Sequence, residues 1–315
     1  MLIRALSFCG AHGRFVLPLG LVAGIVFPFA AAPMRVAIPW CIGALLFLAV
    51  LRLFPNSEKV VSSVSVRQWW NTGKLVVATQ IALPLLVFSA GSLIGVPDIG
   101  LLAMTLVAAA PPISGSPNLV LLLKGDGVFG MRWLMLGTAL LPLSCLPVLW
   151  LLFPVQSIAI MLWPSIVLLG LIATAVALAF VVLHFTHRLN RELPAQAIDG
   201  ASAILLASVV IGLMSAVHDP GTTWADIVWM LLLAVGINGG LQCLGAVAGM
   251  AMALNKARTT ALGVVMGNRN VALYLTALPV FQLEPLLLFI ACYQVPMYLT
   301  PLFGDVFYSR LRADP

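Results

Sequence analysis

Charged side chains in this chain are confined to short intervals between long apolar runs, and one of them, Arg269, falls deep inside such a run. The runs lie at 15–38, 38–54, 75–95, 99–123, 128–153, 158–185, 200–217, 224–253, 259–280 and 285–306. A helix needs about 20 apolar residues to cross the hydrocarbon layer, and several runs exceed that, so tilt or re-entrance is expected. In lipid the backbone must satisfy its own hydrogen bonds, which for unbroken apolar runs means helices. Only 8% of the 315 residues are charged, against about 25% in a soluble domain. The expected fold is an all-α polytopic membrane protein with ten transmembrane helices, a single unit over 1–315 with no separate soluble domain.

The placement of lysine and arginine sets the orientation. With the N-terminus inside, 14 of the 16 basic residues face the cytoplasm, from Arg4 and Arg14 through Lys124, Arg132 and Arg258 to Arg310 and Arg312. Arg35 alone falls outside and Arg269 within the membrane. Both termini are therefore expected in the cytoplasm, in a bacterial inner membrane. The opening run is too long for a signal-peptide core and reads as an uncleaved first helix. The ten acidic residues all fall in connections, so no buried carboxylate is available for a proton relay. With no buried base and no nucleophile–base pair, an intramembrane enzyme is not expected, nor is a cofactor. No basic cluster has the density for nucleic acid. The five cysteines form no CxxC pair and read as small core hydrophobes.

Five runs precede the connection at 154–157 and five follow it, which gives two halves, 15–153 and 158–306, of opposite topology. The fourth run is interrupted by Pro111-Pro112-Ile113-Ser114-Gly115-Ser116-Pro117-Asn118, and the ninth by Gly267-Asn268-Arg269-Asn270. Matched interruptions in two inverted five-helix repeats point to the midplane site of a transporter, with helices four and nine broken where they cross.

Prolines 111, 112 and 117 lack amide hydrogens, so carbonyls one turn earlier need other partners. Ser114, Ser116 and Asn118 add donors and acceptors, and the half-helix from Asn118 offers a positive dipole end. Asn268 and Asn270 flank Arg269, whose planar fork matches a carboxylate, sulfonate or phosphate bidentately and stays charged on burial. Two readings of Arg269 stand side by side: a pin bonded to carbonyls of the opposite break and to Gln80, or a contact for an anionic substrate. Among weaker signals, Gln80 precedes Pro84 and faces the crossing. Asn238 and Gln242, one turn apart around Gly239 and Gly240, read as close packing with an interhelical hydrogen bond. Tyr274, Thr276 and Gln294 suit a cavity wall or ordinary packing, His184 and His187 a solvated edge, and Trp69 and Trp70 an interfacial anchor.

These residues carry a resemblance. Ile38-Pro39-Trp40 with Gly43, Gln80 with Pro84, the run ending in Asn118, and Gly267-x-x-Asn270 resemble the bile acid:sodium symporter family. The resemblance implies a panel of helices 1, 2, 6 and 7 and a core of helices 3–5 and 8–10, with substrate in the crevice between them and access alternated by movement of the core. The departures are as informative. Val265 stands where the family carries a sodium-binding glutamate, Arg269 replaces a glutamine, and the family's Ser-Asn pair reads Pro117-Asn118. Hydroxyl ligands of helix five become Gly130 and Leu134. Asn118, Gln80 and Asn270 are what remains of the sodium sites, and a fixed positive charge beside them repels the ion.

The expectation is a secondary transporter of a small organic anion, its site formed by Arg269, Asn118, Asn268, Asn270, Ser114, Ser116 and Gln80, with Arg269 supplying covalently the charge that sodium supplies in the family. Sodium coupling through a rearranged site, and a non-transporting receptor on the same scaffold, are the alternatives. Oligomeric state is not encoded in any of these signals.

Overall fold

The computed structural model describes residues 2–153, 158–188, 194–278 and 280–312. Among them every regular element is helical, apart from one isolated antiparallel bridge between Pro112 and Arg269. Among the described residues, seven helices are long and apolar enough to cross a membrane. The one over Leu162–Thr186 is only 17% buried, and it exposes Trp163, Leu169, Phe180 and Phe185. An apolar face of that extent suits lipid and not water. The chain is thus an all-α protein with several membrane-capable helices. The expected junction at 154–157 lies outside the described residues, as do Arg191, Glu192 and Asp314.

The chain divides into two compact units. The first comprises Met1–Ser63 and Val167–Thr223. It holds α1 (Leu2–Ala11), α2 (Gly13–Val26), α3 (Pro28–Ser63), the later part of α9 (Ile158–Arg188) and α10 (Ala195–Leu213), which ends in a 3₁₀ turn, Met214–His218. The first two runs were expected to divide near residue 38, but the chain breaks at Phe27. Phe27 closes α2 through its amide to Ala23 O (2.9 Å) and has left the helical region (ψ 72°), which proline disfavours in the residue before it. Pro28 then opens α3, where its missing amide costs nothing, and α3 runs on through Pro33 and Pro39. Helix also starts earlier than the run at 15: α1 packs along α10 at a glycine contact. A Cβ on Gly10 would overlap Gln196 O, and one on Gly200 would overlap Leu6 O. Arg52 Nε donates to Asp199 Oδ1 (2.9 Å) in the same unit.

The second unit comprises Val64–Ile166 and Trp224–Pro315. Here α4 (Val66–Val77), started by a capping box of Ser65 and Gln68, passes through a π-helical turn, Ala78–Ala82, into α5 (Leu83–Leu93). Pro84 explains the π turn: its ring would strike the carbonyl of Gln80 in a regular helix, and widening the turn relieves that clash. Next come α6 (Asp98–Ala109), α7 (Ser116–Leu122) and α8 (Gly127–Leu152), then α11 (Trp224–Ala251), α12 (Lys256–Gly267), a 3₁₀ turn Val271–Thr276, and α13 (Val280–Arg312). Their apolar core gathers Val76, Val120, Leu123, Trp133, Ala261 and Val265.

Two local features position the site. First, α11 and α12 approach through Gly245 and Gly249 on one helix and Gly263 and Gly267 on the other; a Cβ on Gly245 would stand 2.8 Å from Leu262 O. Gly239 and Gly240, expected at a close contact, have nothing within 4 Å of a built Cβ. Second, α6 and α12 are both 12 residues long and are entered by the same turn. Gly95 (φ 71°) closes α5 with Val96 N donating to Gly91 O (2.9 Å), and Ala253 (φ 52°) closes α11 with Leu254 N donating to Gly249 O (3.0 Å).

Candidate functional site: two interrupted helices joined by a buried arginine

Helix α6 stops at Ala109 and α12 at Gly267, and the released backbone of each is the partner of the other. Ala110 is extended (ψ 150°), and Pro111 and Pro112 supply no amide. Ile113 N donates to Asn268 O (2.9 Å), and Asn270 N donates to Pro111 O (2.7 Å). This short antiparallel bridge satisfies groups that lipid cannot. The run after the second break is a 3₁₀ turn and not a half-helix. Asn270 N is committed across the break, and the next amide contact is the tight one from Leu273 N to Asn270 O (3.3 Å).

Arg269 lies at the centre and is 1% exposed. Its Nε donates to Met266 O (2.8 Å) at the end of α12, and its Nη1 donates to Ala110 O (2.9 Å) at the end of α6. One guanidinium therefore binds a carbonyl in the last turn of α12 and the carbonyl of the residue that caps α6. Nη2 is buried and has no hydrogen-bond partner. Arg269 forms no ion pair with a carboxylate among the described residues. Two of its three nitrogens are committed, one on each edge of the fork, so the full bidentate grip expected for a carboxylate is not free in this arrangement.

A chain of neutral polar groups holds the second break from behind. Asn238 Nδ2 donates to Gly267 O (2.7 Å), and Tyr293 OH donates to the same carbonyl. Gln242 Nε2 donates to Asn238 Oδ1 (2.7 Å), while Tyr308 OH donates to Gln242 Oε1 (3.1 Å). Thr300 Oγ1 donates to Asn268 Oδ1 (3.1 Å), and Asn268 Nδ2 to Val264 O (2.9 Å). The interhelical bond expected of Asn238 is thus present, and its acceptor is the break itself. Tyr293, Thr300 and Tyr308 gave no separate signal in the sequence. Hydroxyls spaced seven or eight residues apart on one helix face were the available hint.

The remaining expected residues divide. Gln80 is fully buried and does not bond Arg269. Its Nε2 donates to Gly137 O (2.9 Å) and its Oε1 accepts from Ser144 Oγ (3.1 Å), both on α8. It still borders the crossing, because a Cβ on Gly137 would meet Pro112 at 3.2 Å and Gln80 Nε2 at 3.3 Å. Ser116 is buried and donates to Ile113 O, which tightens the first break. Asn270 and Ser114 are half-buried, while Asn118 is exposed. Helix α7 has only seven residues, so its dipole end is weaker than expected. Tyr274 is 1% exposed and its hydroxyl has no partner. Gln294 is buried and donates to Ile290 O on its own helix, and Thr276 donates to Leu273 O.

Arg269 is not the only buried cation. Arg132, treated in the sequence as a charge at a segment end, is 3% exposed, and its Nε and Nη1 have no partner. It lies in the second turn of α8, with its guanidinium 5.5 Å from the Phe129 ring. Asp126 nearby is already engaged, capping α8 at Phe129 N (3.0 Å) and accepting from Arg258 Nε (3.2 Å). No group of three or more metal-binding side chains occurs among the described residues. No protein-family model matches the chain, and no curated protein matches it.

Proposed function

We propose that this chain is a secondary transporter of the bile acid:sodium symporter type, carrying a small organic anion across a bacterial inner membrane by alternating access without a coupled sodium ion. The observation that carries the reading is the joining of two interrupted helices by one buried guanidinium, through Met266 O and Ala110 O. A cation that orders unwound carbonyls at a crossing does the work of a bound metal ion, and here it is part of the chain. Three further features support the reading. The two interrupted helices match in length and entry turn. The two compact units group the first, second and seventh apolar runs apart from the third to fifth and eighth to tenth, with the sixth shared. The interruptions place Ser116, Asn268 and Arg269 among the buried residues of the second unit. Sodium coupling has less behind it, because both ends of the Gln80 amide are engaged by α8 and Asn118 is apart from the crossing bonds.

Counterflow in liposomes tests the transport reading. Vesicles preloaded with a small carboxylate or sulfonate should accumulate the same labelled anion, and vesicles loaded with a neutral amide analogue should not. Equal accumulation of the neutral analogue, or none of any anion, would contradict the proposal.

A further inference from the structure

His218 ends the 3₁₀ turn that follows α10, and both nitrogens of its ring face backbone carbonyls of the first unit. Nδ1 lies 3.0 Å from Met214 O, one turn back, and Nε2 lies 3.0 Å from Ile25 O, in the last turn of α2. A carbonyl oxygen only accepts, so each contact needs a hydrogen on the ring nitrogen. A neutral imidazole has one N–H and one bare lone pair in either tautomer, and only the imidazolium has two N–H donors. The arrangement is therefore complete with the ring protonated. With the ring neutral it is one bond short, and a lone pair faces a carbonyl oxygen at 3.0 Å.

The place of the ring agrees with a positive charge. Carbonyls in the last turn of a helix lack helical donors, and the helix dipole favours a cation there. His218 stands at two such ends, those of α2 and α10. The two helices are already in close contact, since a Cβ on Gly24 would stand 2.6 Å from Met214 Cγ and 3.0 Å from Ile211 Cα. The residue is exposed, so protons reach the ring from solvent. Charged groups on the surrounding elements are few. Asp219 is next in the chain, with Oδ1 accepting from Gly221 N (3.0 Å), and Arg35 of α3 has its backbone against Gly212. Asp199 of α10 is paired with Arg52 of α3 at the opposite end of α10, and the one charged residue of α2, Arg14, is at the far end of that helix.

We propose that His218 is a pH-sensitive clasp on the first unit. Protonated, it fastens the last turn of α2, and with it the break at Phe27, to the turn after α10. Neutral, it keeps the local bond to Met214 O and releases Ile25 O. Histidine is the side chain whose charge ordinarily changes between about pH 5 and 8. The link to α2 is thus present in acid and lost as the pH rises through that range. The inference rests on the two ring contacts and not on the transport reading; a chain that transports nothing would still have the clasp.

The test compares the full chain in detergent with H218Q, whose side chain is neutral at every pH. The amide of Phe27, which closes α2 on Ala23 O, reports on the last turn through hydrogen exchange. Taking the ratio of the two proteins at each pH cancels the intrinsic pH dependence of exchange. Phe27 should exchange roughly two- to tenfold more slowly in the parent than in H218Q at pH 5, and at the same rate in both at pH 8. A second measurement leaves His218 intact and decides the matter should H218Q not fold. The other three histidines, His12, His184 and His187, are replaced by glutamine, and the ring hydrogens of His218 are followed by NMR. Two slowly exchanging ring hydrogens are expected at pH 5 and one at pH 8. A Phe27 ratio that is the same at both pH values, or fewer than two protected ring hydrogens at pH 5, would overturn the proposal.

Discussion

Replacing Arg269 with lysine keeps the charge and removes the fork. Arginine reaches Met266 O at 2.8 Å and Ala110 O at 2.9 Å from two nitrogens fixed in one plane. A hydrogen bond from a charged donor contributes about 1.5–3 kcal/mol. A lysine ammonium is a compact charge on a flexible stem, and it reaches one of two carbonyls that end separate helices. The expected loss is therefore one such bond, about 1.5–3 kcal/mol, at the place where the breaks meet. Hydrogen exchange reads this locally, because the amides of Ile113 and Asn270 are the two that close the backbone bridge. A loss of that size speeds their exchange roughly 10- to 150-fold if they open with the crossing. Arg67→Lys, at an exposed position, is the control, expected within about 0.5 kcal/mol of the parent. Unchanged exchange at Ile113 and Asn270 in Arg269→Lys would refute the reasoning, since the bridge would then hold without the fork.

Other substitutions probe the supports of the crossing. Gly267→Ala would place a Cβ 2.7 Å from Asn238 O, forcing α11 from α12; a cost of about 1–3 kcal/mol should appear in thermal unfolding. Ala253 holds φ 52° at a turn where its counterpart is Gly95, so Ala253→Gly should stabilise by about 1 kcal/mol, and a lower melting temperature would contradict this. Asp126→Ala removes the cap on Phe129 N and the partly exposed pair with Arg258, with an expected cost of about 1–2 kcal/mol. Arg258→Ala removes only the pair and should cost less in the same measurement.

The membrane class, the two breaks and the central place of Arg269 were legible in the sequence because each depends on local pattern: apolar run length, proline and glycine interruptions, and a charge without a neighbour of opposite sign. What the two breaks do to each other was not. The bond from Asn270 N to Pro111 O joins residues far apart in the chain, and nothing in either segment names its partner. One of the two readings of Arg269 bonded it to Gln80; instead Gln80, in the π turn before Pro84, bonds Gly137 and Ser144 on α8. The first helix boundary was misplaced because Pro28, Pro33 and Pro39 are all able to end a helix, and only packing selects among them. Arg132 escaped notice because a charge near the start of an apolar run reads as an end charge; its burial depends on how α8 packs. Close packing was assigned to Gly239 and Gly240 by their adjacency to Asn238, whereas the contact with α12 runs through Gly245 and Gly249, one and two turns further on.

The central claim is that a covalently attached cation stands where a sodium ion would. Uptake of a transported anion into liposomes, measured in sodium and again in choline at equal ionic strength, tests it most directly. The account predicts equal initial rates in the two salts. A rate that requires sodium, and that is abolished by Gln80→Ala or Asn118→Ala, would contradict it.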